Sequence, residues 1–476
     1  MSVIKTDICV IGGGSGGLSV AAGAVQMGAK VVLFEGNKMG GDCLNYGCVP
    51  SKSLLAAAKA AHHHGTNAFG VSASASASGG KVNMAAVKAH IDSVIAEIAP
   101  HDSVERFTNL GVRVIEAPAS FTGRRQVSGG GVDVKAKYIV VATGSSPFVP
   151  PIAGIDKTPY FTNETIFSNT KLPAHLIVIG GGPIGIEMAQ AYRRLGAKVT
   201  LIEAMKILGR DAKVLVEDLH ALLKNEGITI LEATEVISVA GKRGAVRVTT
   251  RGGHEGVIEG SDLLVAVGRK PNLDTLNLDV AGIRYTNKGI LTDNRLRTSN
   301  RRVFAIGDVA GRQQFTHIAG YHAGIAIRNM LFRLPAKANA QAVPWVTYTD
   351  PELAHVGLTY DDAEAKGLKP KRLIIRLADN DRARAERRGE GAIVAVTTKK
   401  GKILGASILA PHAGEMIQPW VLAMSAGLKI GAMASFIAPY PTYGEISKRA
   451  AGLFYTPKLF SPTTRAVVRF LLRLPL

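Results

Sequence analysis

Three cysteines in 476 residues leave this chain almost without thiols. Cys9, Cys43 and Cys48 are too few for the disulfide framework of a small secreted module, and no second cysteine pair exists to complete a zinc site. The amino-terminal stretch MSVIKTDICVIGGG lacks the charged segment, long apolar run and small-residue cleavage site of a secretory signal, so a cytoplasmic protein is expected. Long apolar runs are missing as well. The longest weakly polar stretch, Trp420 to Ala438, is interrupted by Gly427, Lys429 and Gly431, which suits two packed helices and not a bilayer span. Acids are scarce: 37 Asp and Glu face 57 Lys and Arg, for a net charge of +20. The shortage is uneven, with 19 Lys/Arg against 6 Asp/Glu between Lys366 and Leu476. Such an excess attracts a membrane surface, an acidic partner or nucleic acid. A solvated basic surface is the plainest explanation, peripheral membrane or acidic-partner contact is the sharper one, and nucleic acid is not expected. The rest of the composition, 46% hydrophobic and 20% charged, is that of a globular protein. Its length leaves room for roughly two to four domains.

What the chain does have is an internal repeat. DICVIGGGSGGLSVAAGAVQMGAKVVLFE at 7–35 matches LIVIGGGPIGIEMAQAYRRLGAKVTLIE at 176–203. In each copy an apolar strand leads into G-x-G-x-x-G, formed by Gly12, Gly14 and Gly17 in one and by Gly180, Gly182 and Gly185 in the other. A helix, a Gly-Ala-Lys turn and a second strand come next, ending in Glu35 or Glu203. The first glycine permits the tight turn, the second lets backbone approach a pyrophosphate, and the third packs helix on strand. The pyrophosphate then meets the free N–H groups of a helix N-terminus, and the acid accepts from a ribose diol. One such motif is weak; two copies in full strand–helix–strand context predict two bound dinucleotides. Glu203 would repel a 2′-phosphate, and no arginine follows it immediately, although Lys206 is near, so NADH is favoured over NADPH.

Two of the three thiols stand in MGGDCLNYGCVPSK at 39–52, directly after the first unit. If one unit holds a flavin dinucleotide and the other a nicotinamide one, a disulfide beside the flavin can take the electrons. The segment PSKSLLAAAKAA, opening with Pro50, is expected to be a helix whose N-terminus abuts Cys48, a position that lowers a thiol pKa.

In these segments the chain resembles the FAD-dependent pyridine nucleotide–disulfide oxidoreductases, a family that includes lipoamide dehydrogenase, glutathione reductase and mercuric reductase. GGDCLNYGCVPSK is similar to its redox-active C-x4-C motif. VATGSSP at 141–147, with Gly144, and AVGRKPN at 266–272, with Gly268, are similar to its chain-crossing segments. VFAIGDVAG at 303–311 resembles its second flavin motif, and YTDPELAHVGLT at 348–359 the opening of its dimerisation domain. The resemblance implies that Cys43 attacks substrate and Cys48 is the thiolate against the flavin. It also implies that Lys52 and Glu187 pair near flavin N5 and that Asp308 holds the ribityl chain.

The dithiol-using members carry a His-Pro-Thr-x-x-Glu segment whose histidine is the acid–base catalyst. Here APYPTYGE at 438–445 keeps Pro441, Thr442 and Glu445 but has Tyr440 at the histidine position. A phenol of ordinary pKa about 10 cannot replace an imidazole of about 6.5 as a base near neutrality. Mercuric reductases resemble the chain in having tyrosine there, but they also use a C-terminal cysteine pair, and no cysteine follows Cys48. The resemblance implies a cis Tyr440–Pro441 bond. In RAVVRFLLRLPL, Arg465, Arg469 and Arg473 recur every four residues between apolar ones, which predicts a short basic amphipathic helix, packed on the dimer or docked on a membrane. SASASASGG at 72–80 reads as a flexible low-complexity loop.

The expected fold is α/β: two Rossmann-like dinucleotide-binding domains, for FAD and NAD(P), and a C-terminal α+β dimerisation domain. The expected division is 1–150 and 277–343 for the flavin domain, 151–276 for the nicotinamide domain and 344–476 for the interface domain with its basic tail. The expected function is a homodimeric NAD(P)H oxidoreductase that uses a Cys43–Cys48 disulfide to reduce a disulfide or another acceptor, with FAD as cofactor and no resident metal. The alternatives are a mercuric or other metal-ion reductase, a dihydrolipoamide dehydrogenase, or a flavin-bearing subunit that docks on a membrane or partner.

Overall fold

The computed structural model describes residues 3–64 and 82–475, so the low-complexity stretch at 72–80 lies outside the described residues. The chain divides into two compact units, one of residues 1–204 and 229–339 and one of residues 205–228 and 340–476.

In the first unit the two sequence repeats become the parallel cores of two sheets, the first extended by the antiparallel strands Gln126–Gly129 and Ala119–Gly123. Strand Ile4–Ile11 lies between Val31–Phe34 and Val132–Val141, with Ile11 opposite both Phe34 and Val141. Val303–Ala305 adds to the far side of Val132–Val141. The carboxyl-terminal halves of these strands are apolar because both faces are covered: Ile8, Val10 and Leu33 are fully buried against Leu18, Val20 and Ala326 of two helices, while Cys9, Ile11 and Val141 pack on Phe121, Val127 and Leu276 from strands and loops. The second sheet repeats the plan, with His175–Ile179 between Lys198–Ile202 and Asp262–Val265.

Each first strand turns directly into a helix, Ser15–Gln26 or Pro183–Arg194. The turns need glycine for two reasons. Gly12 and Gly180 sit at φ +108° and +110°, a region that side chains disfavour. At Gly17 and Gly185 the obstacle is space: a Cβ would lie 1.8 Å from the carbonyl oxygen of Gly12 and 1.9 Å from that of Gly180.

The second unit is built on a five-stranded antiparallel sheet in the order Pro344–Thr347, Glu352–Gly357, Ile403–Ala410, Ala392–Thr397, Lys371–Arg376. Its core gathers Leu373, Ile393 and Ile408 from the strands with Trp420 and Ile446 from the helices. The stretch expected to form two packed helices does so, as Gln418–Ser425 and Ile430–Ser435. Among the described residues no helix is long and apolar enough to cross a membrane.

Trp420 is fully buried and donates its indole N–H to Ser447 Oγ at 3.2 Å. Trp420→Ala should cost about 3–5 kcal/mol, from the cavity and the orphaned hydroxyl together. Urea unfolding of the full chain, followed by circular dichroism, checks this.

Candidate functional site

The cysteine loop is seated on the first glycine loop. Gly40 donates its N–H to the Gly13 carbonyl at 2.9 Å, and a Cβ on Gly41 would lie 2.7 Å from Gly14 Cα. Both glycines have positive φ, +84° and +60°. The GG of MGGDC therefore lets one backbone lie flat on another, and this fixes where the thiols stand. Asn45 closes the loop from within by donating to the carbonyls of Met39 and Gly41, and Asn163 donates to Asp42 Oδ1 and the Tyr46 carbonyl, each at 3.2 Å.

Cys43 lies on the short helix Gly41–Asn45, and Cys48 is the first residue of helix Cys48–His64. Both are free thiols, Cys43 partly covered and Cys48 exposed. The two are electrostatically unequal. The Cys43 thiol donates to Cys48, the Thr316 hydroxyl lies 3.3 Å from Cys48 Sγ, and the Lys52 ammonium adds positive charge; together they lower the Cys48 thiol to about 6. The same hydrogen bond, with burial and the neighbouring thiolate, pushes Cys43 well above the ordinary thiol range. Thr316 opens helix Thr316–Met330.

Helix Cys48–His64 also carries Lys52, whose Nζ lies 3.0 Å from Glu187 Oε2. Glu187 is buried on the helix that succeeds the second glycine loop, so this pair joins the cysteine helix to the second dinucleotide fold. Glu35 and Glu203 perform the same task in both copies: Glu35 accepts from Gly13 N–H at 2.5 Å and Glu203 from Gly181 N–H at 2.7 Å. Each acid thus braces its own glycine loop.

The segments holding Gly144 and Gly268 pair as antiparallel strands, Ser145–Pro147 with Arg269–Pro271. Between them is a network that sequence reasoning does not assign. Ser145 donates its hydroxyl to Asp308 at 2.6 Å, and Arg269 donates to Ser145 Oγ at 2.8 Å and lies 3.1 Å from Asp42. Burial raises the Asp308 carboxyl above its ordinary range, against the opposing pull of Ser145 and Arg269. Ser145 and Arg269 stand inside the two chain-crossing motifs, which could have pointed to them. Thr316 has no such signal, being 268 residues from its thiol partner.

The residues present fit two dinucleotides. A Cβ on Gly14 would meet only Gly41 Cα, at 3.7 Å, and one on Gly182 would meet nothing within 4 Å. Open space therefore faces both helix N-termini, where a pyrophosphate needs the backbone to be reachable. Gly144 and Gly268 are likewise open.

In the second unit the Tyr440–Pro441 bond is cis. The Tyr440 phenol is exposed and donates to Asp381 at 3.1 Å, and that carboxylate raises its pKa above the ordinary phenol range. Glu445 begins helix Glu445–Gly452, its N–H donating to Thr442 Oγ1.

Paired dinucleotide folds with a thiol couple seated on one of their phosphate loops are the architecture of an oxidoreductase acting through sulfur. The chain belongs to the pyridine nucleotide-disulphide oxidoreductase family: residues 6–323 match that family, and residues 343–451 match its dimerisation domain. It is thus a flavoprotein that binds FAD and a pyridine nucleotide and forms a homodimer. It is 35% identical to a mercuric reductase of Lysinibacillus sphaericus, over 94% of this chain and 82% of that protein. It is 32% identical to one of Streptomyces lividans, over 94% and 96%. Among solved structures it resembles a Cu(II) complex of the HOCl-induced flavoprotein disulfide reductase RclA from Escherichia coli, with TM-score 0.84 and 26% identity, covering 95% of this chain and all of that one.

If Thr316 holds the thiolate, Thr316→Val should move the pH midpoint of Cys48 alkylation upward from about 6 by roughly one unit. Iodoacetamide modification of the reduced protein, followed across pH by mass spectrometry, reads that midpoint.

Proposed function

We propose that this protein is an NADH-dependent reductase whose Cys43–Cys48 pair mediates the reduction of a soft, thiophilic metal ion such as Hg(II) or Cu(II). The observation that carries this reading is the inequality of the two thiols, with Cys48 poised as thiolate and Cys43 as thiol. The mercuric reductase relatives and the Cu(II)-bound structural neighbour support the choice of acceptor. A cytoplasmic setting suits the chemistry, since thiols are kept reduced there.

Gly12, Gly14, Gly17 and Glu35 would hold the FAD pyrophosphate and ribose, with Gly144 and Asp308 toward the ribityl end. Gly180, Gly182, Gly185 and Glu203 would hold NADH, with Gly268 beside it. A bound flavin supplies hydride acceptance from reduced nicotinamide and an electron pair for a disulfide. In the chain itself, two electrons and one proton open the Cys43–Cys48 bond and leave Cys43–SH and Cys48–S⁻. Thr316 and Lys52 stabilise the charge on Cys48, and Glu187 holds Lys52 in place. Soft sulfur ligands then bind the metal ion. Returning to the disulfide, the pair gives up two electrons to two Cu(II), forming two Cu(I), and the Cys43 proton passes to water; Hg(II), held as a bis-thiolate by both sulfurs, would instead take its two electrons from reduced nucleotide while the sulfurs stay reduced. This exchange needs no imidazole base.

Nicotinamide oxidation by the purified holoenzyme, screened with Hg(II), Cu(II), low-molecular-weight disulfides and quinones, tests the reading. Turnover is expected with a metal ion and should fall at least about a hundredfold in Cys43→Ser. Turnover with disulfides or quinones alone would overturn the choice of acceptor.

The Glu203 carboxylate should favour a free 2′-hydroxyl, so kcat/KM is expected to be at least about tenfold higher with NADH than with NADPH, and Glu203→Gln should narrow that ratio. Steady-state kinetics with both nucleotides decides it.

A Tyr440 phenol raised by Asp381 cannot serve as a neutral-pH base. Dihydrolipoamide oxidation should therefore be slow, and Tyr440→His should speed it by at least about tenfold, because an imidazole titrates near neutrality. Rapid turnover of dihydrolipoamide by the unaltered protein would show that another group supplies the base.

A further inference from the structure

The matched dimerisation domain ends at residue 451, and the chain beyond that residue has a different character. Between Gly452 and Leu476 there are four Lys and Arg and no acid. The segment folds as a short helix, Thr456–Leu459, and then a longer one, Pro462–Leu471, capped by Ser461, whose hydroxyl accepts the N–H of Thr464 at 3.2 Å. At 1.5 Å per residue the second helix is about 15 Å long.

With 100° between successive residues, Arg465 and Arg469 share one narrow face, and Arg473 continues their line in the closing turn. Val467, Phe470 and Leu471 gather on the opposite side, while Leu472 in the closing turn falls beside the arginines. An amphipathic helix of a globular protein buries such a stripe on its own core. This one buries nothing: no residue from Pro462 to Leu471 is buried, Phe470 is 63% exposed, and Phe460 just before the helix is 64% exposed.

We propose that this segment docks the protein on an anionic lipid surface. The helix lies in the plane of the interface, Val467, Phe470 and Leu471 enter the acyl boundary, and the three arginines meet lipid phosphates. The occupant must offer apolar depth and negative charge over the same 15 Å, roughly the helix length, and an anionic bilayer surface offers both. A second copy of the segment offers apolar surface but brings three more arginines, and so opposes the contact. A water-exposed acidic protein face satisfies the arginines and leaves the aromatic and leucine side chains in water. The proposal is independent of which acceptor the cysteines reduce.

The test is co-sedimentation of the full-length homodimeric holoenzyme with vesicles of phosphatidylglycerol and phosphatidylcholine, and with phosphatidylcholine vesicles alone. Binding is expected to the anionic vesicles only and should weaken about tenfold or more between low and high salt. Two variants separate the two faces of the helix. Arg465→Gln/Arg469→Gln/Arg473→Gln and Phe470→Ser/Leu471→Ser should each weaken binding about tenfold or more. Both should keep the dimer mass by light scattering and the rate of flavin reduction by NADH. The proposal is overturned if the unaltered protein ignores anionic vesicles, or if Phe470→Ser/Leu471→Ser still binds them, since the contact would then be charge alone. It is equally overturned if that variant dissociates to monomers, since the apolar face would then belong to the subunit interface.

Discussion

Everything in the first unit depends on a close approach that only glycine permits, the helix backbone at Gly17 against the carbonyl of Gly12 and its copy at Gly185 and Gly180. That approach sets the helix N-terminus at the end of the strand, where its free N–H groups point outward. It also leaves the loop between strand and helix short of internal partners, and the acid at the end of the next strand supplies one. Glu35 and Glu203 each accept a loop N–H, so a residue placed for nucleotide recognition is also a brace for the loop that recognises it. The cysteine segment then uses the same loop as its floor through Gly40 and Gly41. The position of the thiols is thus inherited from the phosphate-binding geometry.

Although Cys48 is exposed as a residue, protein crowds its sulfur enough that desolvation opposes the thiolate, and donors must offset that cost. Cys48 draws on three sources of different reach: the neighbouring thiol, a hydroxyl on the helix that begins at Thr316, and the Lys52 ammonium one helical turn away. Each is modest alone. Asp42 opposes them, and its carboxylate is itself occupied by Arg269 and Asn163. Arg269 also reaches Ser145, which holds the buried Asp308. Thiol, carboxylates and arginine therefore belong to one electrostatic network, and changing any member shifts the others.

Sequence reasoning reached what is local or repeated. The two strand–loop–helix units, the helix at Cys48 and the Lys52–Glu187 pair were all legible, the last only through family resemblance. Thr316, Asp42 and the bracing role of Glu35 were not. A hydroxyl that meets a thiol across 268 residues leaves no spacing to detect, and an acid that serves loop and ligand alike shows only its better-known role. Tyr440 shows the limit from the other side. Its identity was plain and its chemical consequence could be worked out, yet its partner Asp381, 59 residues away, came only from the fold.

The basic excess of the carboxyl-terminal quarter has the same division between what is paired and what is not. Within the sheet-bearing part, arginines meet acids: Arg376 with Asp218, Arg382 with Glu386, Arg388 with Asp350 and Arg384 with Asp379. Most of these are surface pairs worth little to stability, about 1 kcal/mol or less each, but they cancel much of the field that the arginines would project. Beyond Glu445 no acid remains to do this. At physiological salt a charge is felt over about 8 Å, so the scattered, paired arginines act within the fold, and the two on the last helix, with Arg473 in the turn that closes it, act together on whatever comes within that distance.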